Sequence, residues 1–152
     1  MKRSTAREIA VHISFEMAVN DLPAAQLLSD FFDREHYATL AEEADIYEEY
    51  PDERQMEYIK RLAKGVTEHA AELDMYIEKY SKDWSISRIS RVAAAIMRVA
   101  MFEILYMQDD IPHRVAVNEA VELAKKYEER ETVSFINGIL GTFIKKELTM
   151  GE

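Results

Sequence analysis

The sequence predicts an all-α fold, and three observations point to it. Four glycines and three prolines in 152 residues are too few for a sandwich or barrel, which needs a turn about every 8–12 residues. Apolar residues recur at steps of three and four through most of the chain, as in helices with one buried face. Hydrophobic residues make up 48 %, so a core can form, in one domain or in two small helical subdomains sharing a core. A chain of this length buries roughly 70 % of its unfolded surface.

The first helix is expected to begin near Thr5, where Thr5-Ala6-Arg7-Glu8 reads as a capping box. Ala6, Ile9, Ala10, Ile13 and Met17 follow at helical spacing, and Asn20-Asp21-Leu22-Pro23 ends the run. A second helix carries Ala24, Leu27, Leu28, Phe31 and Phe32, and the acidic stretch after it is expected to be helical in part up to Tyr50-Pro51. Met56, Ile59, Ala63, Val66, Ala70, Leu73, Ile77 and Tyr80 then alternate steps of three and four. That strict repeat predicts one long helix with a narrow apolar seam, suited to near-parallel packing. Gly65 inside it weakens the helix by about 1 kcal/mol relative to alanine, which suits a closely approaching neighbour.

Trp84-Ser85 marks a break, giving an N-terminal half over 1–82 and a C-terminal half over 83–152. A short turn with Ile86 and Ile89 leads into Val92–Met107, which is apolar on most sides and so predicts a buried central helix. Asp109-Asp110-Ile111-Pro112 stops it. The next helix is expected from about His113 to Tyr127, with Val117, Ala120, Val121 and Ala124 inward. The last follows Thr132, buries Phe135, Ile136, Ile139, Leu140, Phe143 and Ile144, and frays through Thr149-Met150-Gly151.

Composition narrows the function. No cysteine is present, so disulfides and thiolate metal sites are excluded, which suits a reducing cytoplasm. No apolar run approaches the ~20 residues needed to span a bilayer, and the N-terminus has no signal-peptide core; a cytoplasmic protein is expected, with no membrane partner. The net charge of −10 argues against indiscriminate binding to nucleic acid or anionic membrane, while leaving room for a local basic patch. Glu42 to Glu57 holds eight carboxylates and one arginine, a solvated face, whereas Lys2, Arg3 and Arg7 gather at the start.

Signatures of catalysis are missing. Gly65, Gly138, Gly141 and Gly151 lie too far apart for a phosphate loop. His12, His36, His69 and His113 are scattered, with no metal-ligand spacing, and no serine sits in a nucleophile elbow. Carboxylate pairs such as Glu119 and Glu122 arise by chance on charged helices. The expectation is a protein that is not an enzyme and holds no cofactor and no metal.

Four blocks in order carry a resemblance. They are Trp84-Ser85-x-x-Arg88-Ile89; Ile96-Met97-Arg98-Val99-Ala100-Met101-Phe102-Glu103-Ile104; Ile111-Pro112-x-x-Val115-Ala116-Val117-Asn118-Glu119-Ala120-Val121-Glu122-Leu123-Ala124-Lys125-Lys126-Tyr127; and Phe135-Ile136-Asn137-Gly138-Ile139-Leu140. With Arg3-x-x-x-Arg7-Glu8-x-Ala10 at the start, the chain closely resembles the NusB family over nearly its whole length, least from Asp21 to Glu53. The resemblance implies two small helical bundles packed into one compact domain. It also implies a transcription antitermination factor that holds boxA-type single-stranded RNA with NusE, a small-subunit ribosomal protein, during ribosomal RNA synthesis. The RNA polymerase elongation complex would be an indirect partner, and a homodimer is a further option for the free protein.

Carried onto this chain, the resemblance makes Lys2, Arg3 and Arg7 phosphate contacts and Phe15 a base-stacking residue. Three such contacts to single-stranded RNA give a log–log salt slope of about −2, and one stacked base adds roughly 1–3 kcal/mol. Partner contacts fall on the second half, at Glu119, Glu122, Lys126 and Glu131. Several positions depart from the family pattern: Glu128 for a usual glycine, Ser134 for a frequent basic residue, Gly141 for an acid or amide, and Ala93-Ala94 for a charged pair whose loss removes an RNA contact. Arg98, Glu103, Asn118 and Glu119 are polar residues within apolar helices. If buried they must pair, since an unsatisfied buried polar group costs ~1–3 kcal/mol, and an inter-helix polar network is expected from some of them. Two rivals share the fold: a helical protein-interaction adaptor that has lost RNA binding, and the NusB-like domain of a ribosomal RNA cytosine methyltransferase. Nothing in the chain could hold that enzyme's methyl donor.

Overall fold

The computed structural model describes residues 1–20, 22–82 and 84–148, and among these every regular element is helical. The expected fraying segment from Thr149, together with Asp21 of the first turn, lies outside the described residues. The helices fall into two units, residues 1–67 and 68–152. That division comes one helix earlier than the expected 82/83 boundary.

In the first unit, α1 (Arg3–Val19) starts two residues before Thr5. The Thr5 amide bonds the Lys2 carbonyl at 3.1 Å, and the cap is Lys2, with no side-chain hydrogen bond. The expected capping box is therefore not formed: Thr5 is already inside the first turn, and Glu8 is buried. α1 buries Ile9, Ala10 and Ile13 completely. α2 (Ala24–Phe31) contributes Leu27 and Leu28, and α3 (Arg34–Leu40) contributes Tyr37, its first turn capped by the Asp33 carboxylate, which accepts from the His36 amide at 3.1 Å. The acidic segment is helical only in α3 and in a 3-10 turn at Asp45–Tyr47. Aromatic side chains hold it down. Phe32, Tyr37 and Tyr50 pack with ring centroids 5.0–6.3 Å apart, the Tyr37 hydroxyl donates to the Glu49 carbonyl at 2.9 Å, and the Tyr50 hydroxyl donates to the Phe32 carbonyl at 2.6 Å. Burial pushes the Tyr37 phenol up to about 12.

The long seam is carried by two helices rather than one. α4 (Glu53–Glu68) buries Ile59, Leu62, Ala63, Gly65 and Val66, and α5 (Ala70–Ser81) buries Leu73 and Ile77. His69 separates them with φ −107° and ψ 16°. Its ring stacks on Tyr106 at 4.3 Å, and its Nδ1 lies 3.5 Å from Glu72. α5 packs against α6 (Arg91–Tyr106) and α8 (Arg130–Phe143), so the chain from His69 onward belongs to the second unit.

There α6 is the central helix, touching α5, α8 and α7 (His113–Tyr127). Ser90 caps it by accepting from the Ala93 amide at 3.3 Å. Ala93 to Met97 and Val99 to Ile104 are all buried, each large side chain contributing roughly 1.5–3 kcal/mol. The Ala93-Ala94 pair is thus core in this chain, where a charged pair would be desolvated. α8 begins at Arg130, two residues before the expected Thr132, and runs on into a π-helical end at Ile144–Leu148. Lys79 on α5 donates to Glu147 in that end at 2.8 Å, and the Tyr80 hydroxyl bonds the same carboxylate.

Candidate nucleic-acid interface

Two exposed patches, one in each unit, carry the chemistry. The first is the start of α1. Lys2 and Arg3 are exposed, and the uncapped helix end adds its own partial positive charge beside them. The segment is pinned: the Met1 ammonium pairs with Glu49, and the Met1 carbonyl accepts from Gln55 Nε2 at 2.6 Å. Arg3 and Arg7, four residues apart, share one helix face over the Tyr58 ring, with guanidinium carbons 4.6 and 5.9 Å from its centroid.

These two arginines differ in access. Arg7 is 2 % exposed and Tyr58 8 %, so Arg7 lies beneath the surface. Of the three basic residues the sequence groups at the tip, Lys2 and Arg3 are the exposed ones. Phe15 is half-buried on α1.

The second patch is an open groove of about 240 Å³ between the 3-10 turn at Ile86–Arg88 and the start of α8. Trp84, Arg88, Ile89, Glu131, Thr132 and Phe135 line it. Trp84 is 51 % exposed, with its carbonyl accepting from the Ser81 hydroxyl at 2.5 Å. The turn is fixed from α5, where Glu78 Oε2 accepts from the Ile86 amide at 3.1 Å. Glu128 holds the capping Ser90, accepting from its hydroxyl at 2.5 Å, and so braces the groove wall that Ser90 lines. An exposed indole can stack on a flat base, and a guanidinium beside it can meet a phosphate. Sequence reasoning passed over Trp84 and Arg88 as site residues. The available signal was the chain's one tryptophan beside a serine-rich turn.

Among the expected partner residues, Glu119, Glu122 and Lys126 lie on one face of α7 by their spacing of three and four. Glu122 accepts from Lys125 at 3.0 Å, and the Lys126 ammonium lies 5.5 Å from the Tyr127 ring centroid. Glu131 sits apart from them, on the groove. Three of the four expected network residues, Arg98, Glu103 and Glu119, have interaction partners. Arg98 pairs with Asp74 on α5, Nε to Oδ1 at 2.6 Å and Nη2 to Oδ2 at 3.3 Å. Glu103 is fully buried and has a partner, as has Glu119. Asn118 is exposed because α7 turns Ala116, Ala120, Leu123 and Ala124 inward instead.

Fold and patches together define an all-helical binding protein, with a short cationic helix start in one unit and an open aromatic groove in the other. The chain matches the NusB family over residues 4–145, and it belongs to that family. It is 42 % identical to the transcription antitermination protein NusB of Acetivibrio thermocellus, over all of this chain and 94 % of that one. Its fold is similar to that of T. maritima NusB, with a TM-score of 0.77 and 28 % identity over 96 % of this chain and 92 % of that one. A crystal structure of antitermination factors NusB and NusE in complex with dsRNA contains a similar chain, with a TM-score of 0.72 and 24 % identity over 94 % and 96 % of the two chains. No described helix is long and apolar enough to cross a membrane.

Proposed function

We propose that this protein is a transcription antitermination factor that binds boxA-type single-stranded RNA together with NusE. It would reach the RNA polymerase elongation complex through that RNA, support ribosomal RNA synthesis, work in the cytoplasm and catalyse nothing. Family membership supports the reading, and a chain of similar fold occurs in a complex with NusE and dsRNA. The observation that carries the single-stranded part is the groove: Trp84 and Phe135 flank an opening of about 240 Å³. A paired base hides both faces in its stack, whereas a single strand can offer one to an aromatic ring.

Charge sets the strength. Lys2 and Arg3 at the tip, with Arg88 at the groove, give a salt slope of about −2 for a single strand. A chain of net charge −10 repels RNA elsewhere, so weak binding alone and tighter binding beside a basic partner are expected. Anisotropy of a labelled boxA-type RNA, with and without NusE at two salt concentrations, tests this. The reading requires affinity that rises with NusE and falls with salt; no affinity under any of these conditions leaves the adaptor reading, which the acidic surface favours.

A further inference from the structure

The net negative charge of this chain is concentrated in one stretch of its sequence. Glu16 to Glu49 carries ten carboxylates and a single arginine, nine of the ten net negative charges. Within that stretch the first unit opens a groove of about 330 Å³ where the end of α1 meets α2 and α3. Leu27, Phe31 and Leu40 give it an apolar lining, and it also carries the exposed Leu22, Glu16 and Asp30. The opening is about twice the roughly 150 Å³ that encloses a benzene, room for two anchoring side chains.

One of these carboxylates is held in place. Asn20 Nδ2 donates to the Glu16 carboxylate at 3.0 Å and to the Glu16 carbonyl at 2.9 Å, which fixes that carboxylate at the groove. Leu22 on the groove is 47 % exposed, apolar surface that gains by being covered. We propose that this acidic, apolar-lined groove docks a cationic amphipathic segment of a partner protein, two apolar side chains seated among Leu22, Leu27 and Phe31 and its lysines or arginines facing Glu16 and Asp30.

Charge decides among occupants. RNA and anionic lipid are repelled by nine net negative charges in one stretch, and a second copy placing the same face here would meet its own carboxylates. An amphipathic helix laid in a groove fits both the apolar lining and the carboxylates. This surface is independent of the RNA-binding reading above, since none of its residues belongs to either patch.

The test uses the full chain and a fluorescein-labelled 18-residue peptide with leucines at i, i+3, i+4 and i+7 and lysines elsewhere. Its control has glutamates in place of the lysines. Expected is saturable one-to-one binding of the lysine peptide and none of the control, with at least tenfold weakening in Glu16→Lys/Asp30→Lys and in Leu22→Ser. Leu22 is exposed, so Leu22→Ser keeps the fold, checked by circular dichroism and an unchanged thermal midpoint. Equal affinity in wild type and both variants, no saturable binding, or binding of the control overturns the proposal. Sedimentation showing a dimer that Leu22→Ser dissolves also overturns it, by making the occupant another copy.

Discussion

The Arg98 guanidinium lies in a two-point contact with the Asp74 carboxylate, joining α6 to α5 at 2.6 and 3.3 Å. The side chains are 14 % and 28 % exposed, so the pair is only partly desolvated, and losing one partner leaves a charge that water reaches poorly. Arg98→Met is expected to lower unfolding free energy by about 1–3 kcal/mol. Arg98→Met/Asp74→Leu should recover much of that loss, because an apolar pair needs no counter-charge. Urea denaturation of the three variants measures it, and unchanged stability in Arg98→Met removes the pair from the account.

Arg3 and Arg7 should separate cleanly by what they break. Arg3→Ala is expected to flatten the RNA salt slope by about 0.7, with little change in thermal midpoint. Arg7→Ala should lower the midpoint, since it strips a buried side chain from beneath Tyr58 and leaves space in a packed region. RNA titrations at several salt concentrations, paired with melting curves, read both effects.

In the groove, Trp84→Ala is expected to weaken RNA binding by about 1–3 kcal/mol, roughly 5- to 150-fold, through loss of one stacking platform. Arg88→Ala should act mainly on the salt dependence. Both side chains are exposed, so circular dichroism should be unchanged, and anisotropy with a boxA-type RNA gives the affinities.

Acid should loosen the end of the chain in a defined window. Hydrogen bonds from Lys79 and then Tyr80 hold the Glu147 carboxyl below its ordinary value of 4.5. A depressed carboxyl contributes stability that is present above 4.5 and is lost as pH falls through the lower folded value. Lys79 shows the mirror case: the bond to Glu147 raises it above 10.5, so its contribution is present below 10.5 and lost at higher pH. Unfolding free energy against pH should therefore fall less steeply below about pH 4.5 in Glu147→Gln than in wild type.

How far the sequence carried differs between the halves. The extents of α6 and α7 were readable because Asp109-Asp110-Ile111-Pro112 punctuates two strongly periodic runs. The break between α4 and α5 was not, because the apolar seam passes His69 in register and neither glycine nor proline marks it. What accompanies the break is stacking on Tyr106, a contact between residues distant in sequence. The division at 67/68 is hidden in the sequence for the same reason, since α5 reads as a continuation of α4. At the tip, spacing places Arg3 and Arg7 on one face but is silent on which of them Tyr58 and its surroundings bury. Trp84 was visible as a residue, yet its groove exists only once the start of α8 is brought beside the 3-10 turn.

Trp84 is the chain's one tryptophan, so its emission reports directly on the groove. The most direct measurement follows that emission as a boxA-type single-stranded RNA is added to the full chain at low salt, with labelled-RNA anisotropy read in parallel. Saturable quenching that tracks the anisotropy and is reversed by salt is expected. Emission that stays constant while anisotropy shows the RNA bound, or an anisotropy that never rises, contradicts it.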